Sequence, residues 1–194
     1  MPLDCDILSV EHIPEESNCP ERRHYVKVWL ALGANVGDRS ATLKQATAEI
    51  GKIAGVRVVG VSGVYETPPW GYTNQPWFYN LALAIETVMA PLELLDITQR
   101  LEQILGRTEG PRWGPRQIDI DLILWDGLTV RHERVELPHP RFRERAFVLW
   151  PLREIAPGVV DPATGKSIAQ LAAALEHSVD ALRIRRLGAL EQVS

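Results

Sequence analysis

Ile118, Ile120, Leu122 and Leu124 recur at every second position, with Asp119 and Asp121 between them. That two-residue period belongs to a β-strand, and it sends both carboxylates out of one face. Two acids so placed repel unless solvent or a cation separates them. The segment leading into this strand is Arg112-Trp113-Gly114-Pro115-Arg116-Gln117. Gly114-Pro115 favours a turn that aims Arg112 and Arg116, and Trp113 offers a flat face or a core anchor. Asp-x-Asp alone is ordinary solvated alternation. With arginines beside it, the pattern points to a hard metal carrying a polyphosphate.

The bulk properties narrow what surrounds that strand. A chain of 194 residues with 45% apolar and 24% charged side chains reads as one soluble globular domain. A net charge of −4 argues against general nucleic-acid binding, yet nine of the 21 basic residues, all arginines, lie between Arg100 and Arg145. An arginine cluster in an acidic protein suits a small anion better than a polymer. Several of these arginines also have acidic neighbours, among them Glu102, Glu109, Glu133, Glu136 and Glu144, and can simply be paired or solvated. Cys5 and Cys19 form neither a metal-site spacing nor a disulfide framework. No apolar run reaches membrane-spanning length, and the start lacks the basic and apolar regions of a signal peptide. The expectation is a cytoplasmic monomer with small-molecule partners and no membrane or nucleic-acid partner.

Residues 1–24 are rich in Glu, Pro and Ser and read as a weakly ordered extension before a single domain over 25–190. Alternation over 25–32 predicts a strand, and 33–37 a turn. Asp38 is placed to cap a helix from Arg39 to about Ile50 with Leu43, Ala46 and Ile50 on its apolar stripe. A second strand is expected over 56–61, continuing towards Tyr65, and a Pro- and Gly-rich loop over 67–76. A third strand follows over 78–87, then a helix begun by Pro91 and stopped by Gly106. Strand four covers 118–125. A hairpin near Val130 and Val135, a helix begun over 143–149, a helix over 168–175 and a strand over 181–187 complete the chain. The core order β-α-β-β-α-β predicts an α+β fold, the ferredoxin-like plait. That fold is an antiparallel sheet with its helices on one face, extended here by C-terminal additions.

Nucleotide motifs with glycine loops are absent: Gly165-Lys166-Ser167 has Val160 where a Walker A loop needs glycine. Gln99 and Glu102 share a helix face near the start of the arginine loop and are as readily solvated as functional. Pro138-His139-Pro140 followed by Arg141, Arg143 and Arg145 is a second candidate phosphate surface. The loop at Pro68-Pro69-Trp70-Gly71 can wall a pocket for a flat heterocycle, with Asn80 as donor and acceptor. Phe78 and Phe147 are possible stacking faces, although core packing is the usual fate of an aromatic.

In their order these pieces resemble the 6-hydroxymethyl-7,8-dihydropterin pyrophosphokinase family of folate biosynthesis. Residues 32–37 (Leu-Gly-Ala-Asn-Val-Gly) are similar to its opening strand and turn, and 65–71 (Tyr-Glu-Thr-Pro-Pro-Trp-Gly) to its first mobile loop. Residues 75–80 resemble its pterin strand. Gln99 to Glu102, Arg107 and 112–121 resemble its ATP and magnesium segment, and 138–140 with 145–152 complete a likeness spanning roughly 26–170. The resemblance implies transfer of the β,γ-pyrophosphate of ATP to the pterin hydroxymethyl oxygen, with release of AMP. It implies that Asp119 and Asp121 hold two Mg²⁺ ions, and that Arg107, Arg112, Arg116, His139 and Arg145 contact ATP phosphates. Arg107, Arg112 and the two acids are the expected catalytic group. Gln99, Glu102 and Trp113 would line the ATP site, with the Leu122 backbone beside adenine. Phe78 and Phe147 would sandwich the pterin, and Asn80, Thr67, Pro68 and Trp70 would read its edge. Two departures stand out. Phe78 replaces a tyrosine of some members, and 108–111 is shorter and less basic than in others.

Two rivals come from other classes. One is a ferredoxin-like ligand-sensing or RNA-binding module with aromatics on an open sheet, which the acid pair disfavours. The other is a nucleotidyl or glycosyl transferase built on Asp-x-Asp, which AMP formation would exclude.

Overall fold

The computed structural model describes residues 24–107, 114–178 and 181–193. Its centre is the strand β1 (Val26–Ala34), flanked by β4 (Phe78–Thr87) on one side and β5 (Asp119–Trp125) on the other, both antiparallel. β1 extends two residues into the expected turn because Gly33 and Ala34 still have partners, Asn80 and Tyr79. The far side of β4 is shared by β2 (Val56–Val61) and β3 (Val64–Thr67). The expected single strand is broken at Ser62-Gly63. There Ser62 N–H donates to Ala82 O at 3.0 Å, and Ala82 N–H donates to Ser62 Oγ at 2.9 Å. The hydroxyl thus fills in for a missing ladder acceptor.

Two helices cover one face. α1 (Arg39–Lys52) is capped by Asp38, whose carboxylate accepts from Ala41 N–H at 2.9 Å. It buries Leu43, Ala46 and Ile50 against Val28, Leu30, Leu32, Leu81, Leu83 and Ile85 of the sheet. Each large side chain so buried contributes about 1.5–3 kcal/mol. α2 (Pro91–Ile104) packs Leu94 and Leu101 on the same face. It ends at Gly106 (φ +94°), where Gly106 N–H donates to Gln103 O and Arg107 N–H to Glu102 O. This paired closure is the Schellman motif, and it sets Arg107 beside Glu102.

The other face is covered by elements outside the βαββαβ core. A short 3₁₀ turn (Phe142–Glu144) leads into α3 (Ala146–Ile155), later than the expected start, and α4 (Ile168–Ala174) packs beside it. They bury Phe142, Val148, Leu149 and Leu152 against Trp29, Ala82 and Ala84. On β5 the register slips between the partners of Trp29 and Leu30, leaving Ile123 as an extra residue. Ile123 and Leu124 therefore both pack on this second cluster, while Trp125 joins the first. The hairpin is formed by β6 (Val130–His132) and β7 (Val135–Leu137). The expected C-terminal strand begins as a 3₁₀ turn, Ala181–Arg183, and pairs as β8 (Arg185–Gly188) along β3. No helix among the described residues is long and apolar enough to cross a membrane.

Candidate active site

A cavity of about 220 Å³ opens on the α3 side of the sheet, at the end where β1 gives way to Asn35. Its floor is Ala31 and Gly33 of β1, both too small to fill it. On β5 the register places Asp121 opposite Ala31 and Asp119 opposite Gly33. On β4 it places Asn80 opposite Gly33. The acids and the amide are thus two strand spacings apart, roughly 10 Å. The period-two expectation for Asp119 and Asp121 holds: both face the cavity while Ile120 and Leu122 enter the core.

The acidic end is held by cations. Asp119 Oδ1 lies 2.6 Å from Arg116 Nη1 and 3.0 Å from Arg107 Nη1. Arg107 also pairs with Glu102. Among the described residues Asp121 has only a long contact, 3.4 Å, to Arg145 Nη1. Burial, and then the Asp119 charge, raise the Asp121 carboxyl above the ordinary aspartate range. The Arg145 side chain is 13% exposed, and its buried Nε finds no acceptor among the described residues. Trp70 lies against two guanidinium groups, 4.2 Å from Arg141 and 5.2 Å from Arg145. His139 lines the same end. Burial and the Arg145 charge lower it to about 4, so the ring is neutral near pH 7. Its Nδ1 accepts from Arg141 N–H at 3.2 Å, which leaves the ring proton on Nε2 as a donor.

The other end carries the aromatic side chains, and Arg145 reaches it too, 5.6 Å from the Phe147 ring. Phe78, Phe147, Pro68 and Trp70 line it, with Asn80 and Thr67 behind. Asn80 Nδ2 donates to Thr67 Oγ1 at 2.7 Å, leaving the amide oxygen as an acceptor over Gly33. A Cβ built at Gly33 would sit 2.7 Å from that oxygen. Gly33→Ala should therefore displace Asn80 and raise the KM of whatever this end binds at least several-fold, sparing the acidic end. Steady-state kinetics with each substrate varied separately would show equal changes in both KM values if that account were wrong.

All four expected metal and heterocycle groupings meet in this cavity: Asp119 and Asp121, Arg116 with His139 and Arg145, Thr67 with Pro68, Trp70 and Asn80, and Phe78 with Phe147. Arg107 joins through its ion pair with Asp119. Other expectations meet a different outcome. Gln99 is exposed on α2, away from the cavity lining, so it does not share the environment of Glu102. Glu102 is 3% exposed beneath β5, accepting from Ile120 N–H at 2.7 Å. The Leu122 side chain is in the core, although β5 is a sheet edge with outward backbone groups. Arg143 is not a cavity residue, because it makes a two-pronged pair with buried Asp161 at 2.7 and 2.5 Å. Arg112 and Trp113 lie outside the described residues.

Asn35 was not anticipated. It is 2% exposed and joins the two loops that border the cavity. Its Nδ2 donates to Gln75 Oε1 and Pro76 O, its Oδ1 accepts from Arg116 N–H at 2.7 Å, and its N–H donates to Arg116 O. These partners lie far away in sequence, and no local pattern marks the residue.

Burial pushes the Glu102 carboxyl up to about 7 from 4.5, against the pull of Ile120 N–H and Arg107. Its ionisation thus opposes folding. The penalty is absent below the unfolded value and complete above the folded one. Glu102→Gln keeps an acceptor for Ile120 and removes the titration. Urea unfolding should show the variant gaining on the parent by up to roughly 3 kcal/mol between pH 4.5 and 8. Parallel stability curves would contradict this.

The sequence profile of the family described as 7,8-dihydro-6-hydroxymethylpterin-pyrophosphokinase (HPPK) matches residues 29–157. The 2-amino-4-hydroxy-6-hydroxymethyldihydropteridine pyrophosphokinase of Methylorubrum extorquens is 46% identical over 152 residues, covering 78% of this chain and 95% of that protein. The protein of the same name from Bacillus subtilis is 47% identical over 136 residues, covering 70% and 81%. The wild-type HPPK-DHPS of Plasmodium falciparum superposes with a TM-score of 0.66 at 14% identity over 84% of this chain. That likeness concerns the fold, and the match covers 48% of the longer Plasmodium chain.

Proposed function

The chain belongs to the 7,8-dihydro-6-hydroxymethylpterin-pyrophosphokinase family, and from that premise we propose how its cavity performs the family's reaction. The reaction is a pyrophosphokinase step of folate biosynthesis. ATP gives its β,γ-pyrophosphate to the hydroxymethyl oxygen of 6-hydroxymethyl-7,8-dihydropterin, and AMP leaves. The new bond joins that oxygen to the β-phosphorus, and the bond from the β-phosphorus to the α-bridging oxygen breaks.

The observation that carries the assignment is one cavity lined both by the acids and arginines about β5 and by Phe78, Phe147 and Asn80, with the acids two strands from the amide. The pterin lies between Phe78 and Phe147, with its polar edge on Asn80 and the chain at Thr67, Pro68 and Trp70. Stacking fixes the ring plane, and the amide fixes its rotation. The hydroxymethyl arm then points across Gly33 towards Asp119 and Asp121. Arg107, Arg116 and Arg145 balance the charge that spreads over the transferring group, and His139 adds the Nε2–H donor. The orphaned Nε of Arg145 gains an acceptor when a phosphate enters. Since Nε2 carries the ring proton and Nδ1 is already occupied, His139 is a donor and not the base. Positioning does most of the work, because a neutral hydroxyl attacking phosphorus is limited by placement and charge. The adenine lies along the outer edge of β5 by Leu122, near the C-terminal end of α2.

Asp119 and Asp121 fit Mg²⁺. They are hard oxygen donors on one face, one of them destabilised by the other's charge and in need of a cation. The bound metal, two ions in this reading, supplies neutralisation of the polyphosphate. The test is AMP release from ATP plus the dihydropterin, with and without Mg²⁺. AMP formed only when both pterin and metal are present supports the assignment. AMP formed equally without Mg²⁺ would remove the metal, and none under any condition would remove the reaction.

A further inference from the structure

The family match ends at residue 157, yet the chain beyond it returns to the sheet and pairs as β8 with β3, the strand that leads into the substrate loop. β3 is a four-residue strand whose ladder with β4 holds only the partners of Tyr65, Glu66 and Thr67. β8 closes its other side. Successive side chains of a strand point to opposite faces, and Arg185 and Arg186 use this. Arg186 reaches the α3 side, where its Nη2 pairs with Glu154 at 2.7 Å. Glu154 in turn accepts from the Tyr65 hydroxyl at 2.9 Å. Arg185 reaches the α1 side. There it pairs with Glu66 at 2.5 Å and lies 5.6 Å from the Trp77 ring, with Arg183 at 5.2 Å from the same ring.

Glu66 immediately precedes Thr67, and Trp77 immediately precedes Phe78. They are the two roots of loop 68–76. Arg39 of α1 joins the same cluster, donating to Trp77 O at 2.7 Å, lying 3.5 Å from Glu66 and stacking 3.6 Å over Tyr79. The segment is tied down past β8 as well. Leu190 and Val193 are buried, and Val193 O accepts from Ser40 Oγ and from Lys44 Nζ.

We propose that this C-terminal segment is a brace for the pterin loop, and that Arg185 is a positioning residue that ties the loop's two roots together through Glu66 and Trp77. The inference rests on the reading of Phe78, Phe147 and Asn80 as the pterin end. Arg185 touches no substrate. It acts by fixing where Thr67 and Phe78 stand, and a small misplacement at either weakens binding of a rigid ring.

Full-length Arg185→Ala, Arg185→Lys and Phe147→Ala proteins would be compared with the parent, with Arg153→Ala as a surface-arginine control on α3. Arg185→Ala should raise the pterin KM about fivefold, the size of a partly exposed ion pair plus a cation–ring contact. The ATP KM and kcat should change less than about twofold, and the melting temperature should stay that of Arg153→Ala. Lysine, which keeps the pair with Glu66 but loses the planar stack, should recover part of the effect. A normal pterin KM in Arg185→Ala, alongside a raised one in Phe147→Ala, would overturn the brace and leave the pterin site standing. A normal pterin KM in Phe147→Ala would overturn the pterin site and the brace with it. Equal rises in both KM values with a lowered melting temperature would make Arg185 a fold residue and end the proposal.

Discussion

Alanine at Asp119 should reduce Mg²⁺-dependent AMP formation by on the order of a thousandfold or more while the fold survives. Asp119 faces the cavity beside Asp121, and its oxygen joins Arg107 and Arg116. Removing it takes away one of two adjacent carboxylates and frees two guanidinium groups that it holds near the phosphate path. Both ion pairs are partly exposed, so each contributes about 1 kcal/mol or less to stability. Circular dichroism and the melting temperature should therefore stay close to the parent while turnover vanishes. Asparagine at 119 keeps the volume and one acceptor, so Arg107 and Arg116 should remain placed. If catalysis needs the charge, the asparagine variant will be nearly as inactive as alanine. Near-normal turnover by Asp119→Ala would remove the acid pair from the mechanism.

The second large effect is expected at Phe147. Its ring stands at the start of α3, half-buried, in the wall of the cavity that Phe78 also lines. Truncation to alanine removes a stacking face and the apolar area a ring would cover, together about 2–3 kcal/mol. Pterin affinity should fall by roughly 30- to 150-fold. ATP affinity should change much less, because the ring touches the phosphate end only through a 5.6 Å contact with Arg145, which Asp121 and Trp70 also hold. Titration calorimetry with each ligand alone would decide, and equal weakening of both would take the stacking role away from Phe147.

Legibility in the sequence followed the range of the forces involved. β4 was readable to the residue, since its continuous apolar run is bounded by Pro76 and by Pro91 at the next helix. The shared face of Asp119 and Asp121 followed from the strand period alone. The end of β1 was misjudged because Gly33 and Ala34 look like a turn and are held in the ladder by distant partners, Asn80, Tyr79 and Asp119. Glu102 looked as readily solvated as functional; its burial depends on Ile120 of a strand that follows it. Arg143 looked like its neighbours Arg141 and Arg145. What distinguishes it is Asp161, presented by a turn 18 residues later. Asn35 carries no local signal, because its bonds span 40 to 81 residues. The cover on the α3 face was likewise invisible in the core element order. Covering that face is also what leaves a cavity at the uncovered end.

The small floor at Ala31 and Gly33 bears on how such a site can be blocked. An inhibitor lying on that floor touches main chain, which mutation cannot alter, and side chains whose enlargement would fill the cavity itself. A larger residue at Gly33 meets the Asn80 amide before it reaches any bound compound. Escape by point substitution would then fall mainly to the walls, at Trp70, Phe78 or Phe147, which the proposed pterin site also uses. Compounds that gain their affinity from the floor should accordingly select resistance more slowly than those that gain it from the loop.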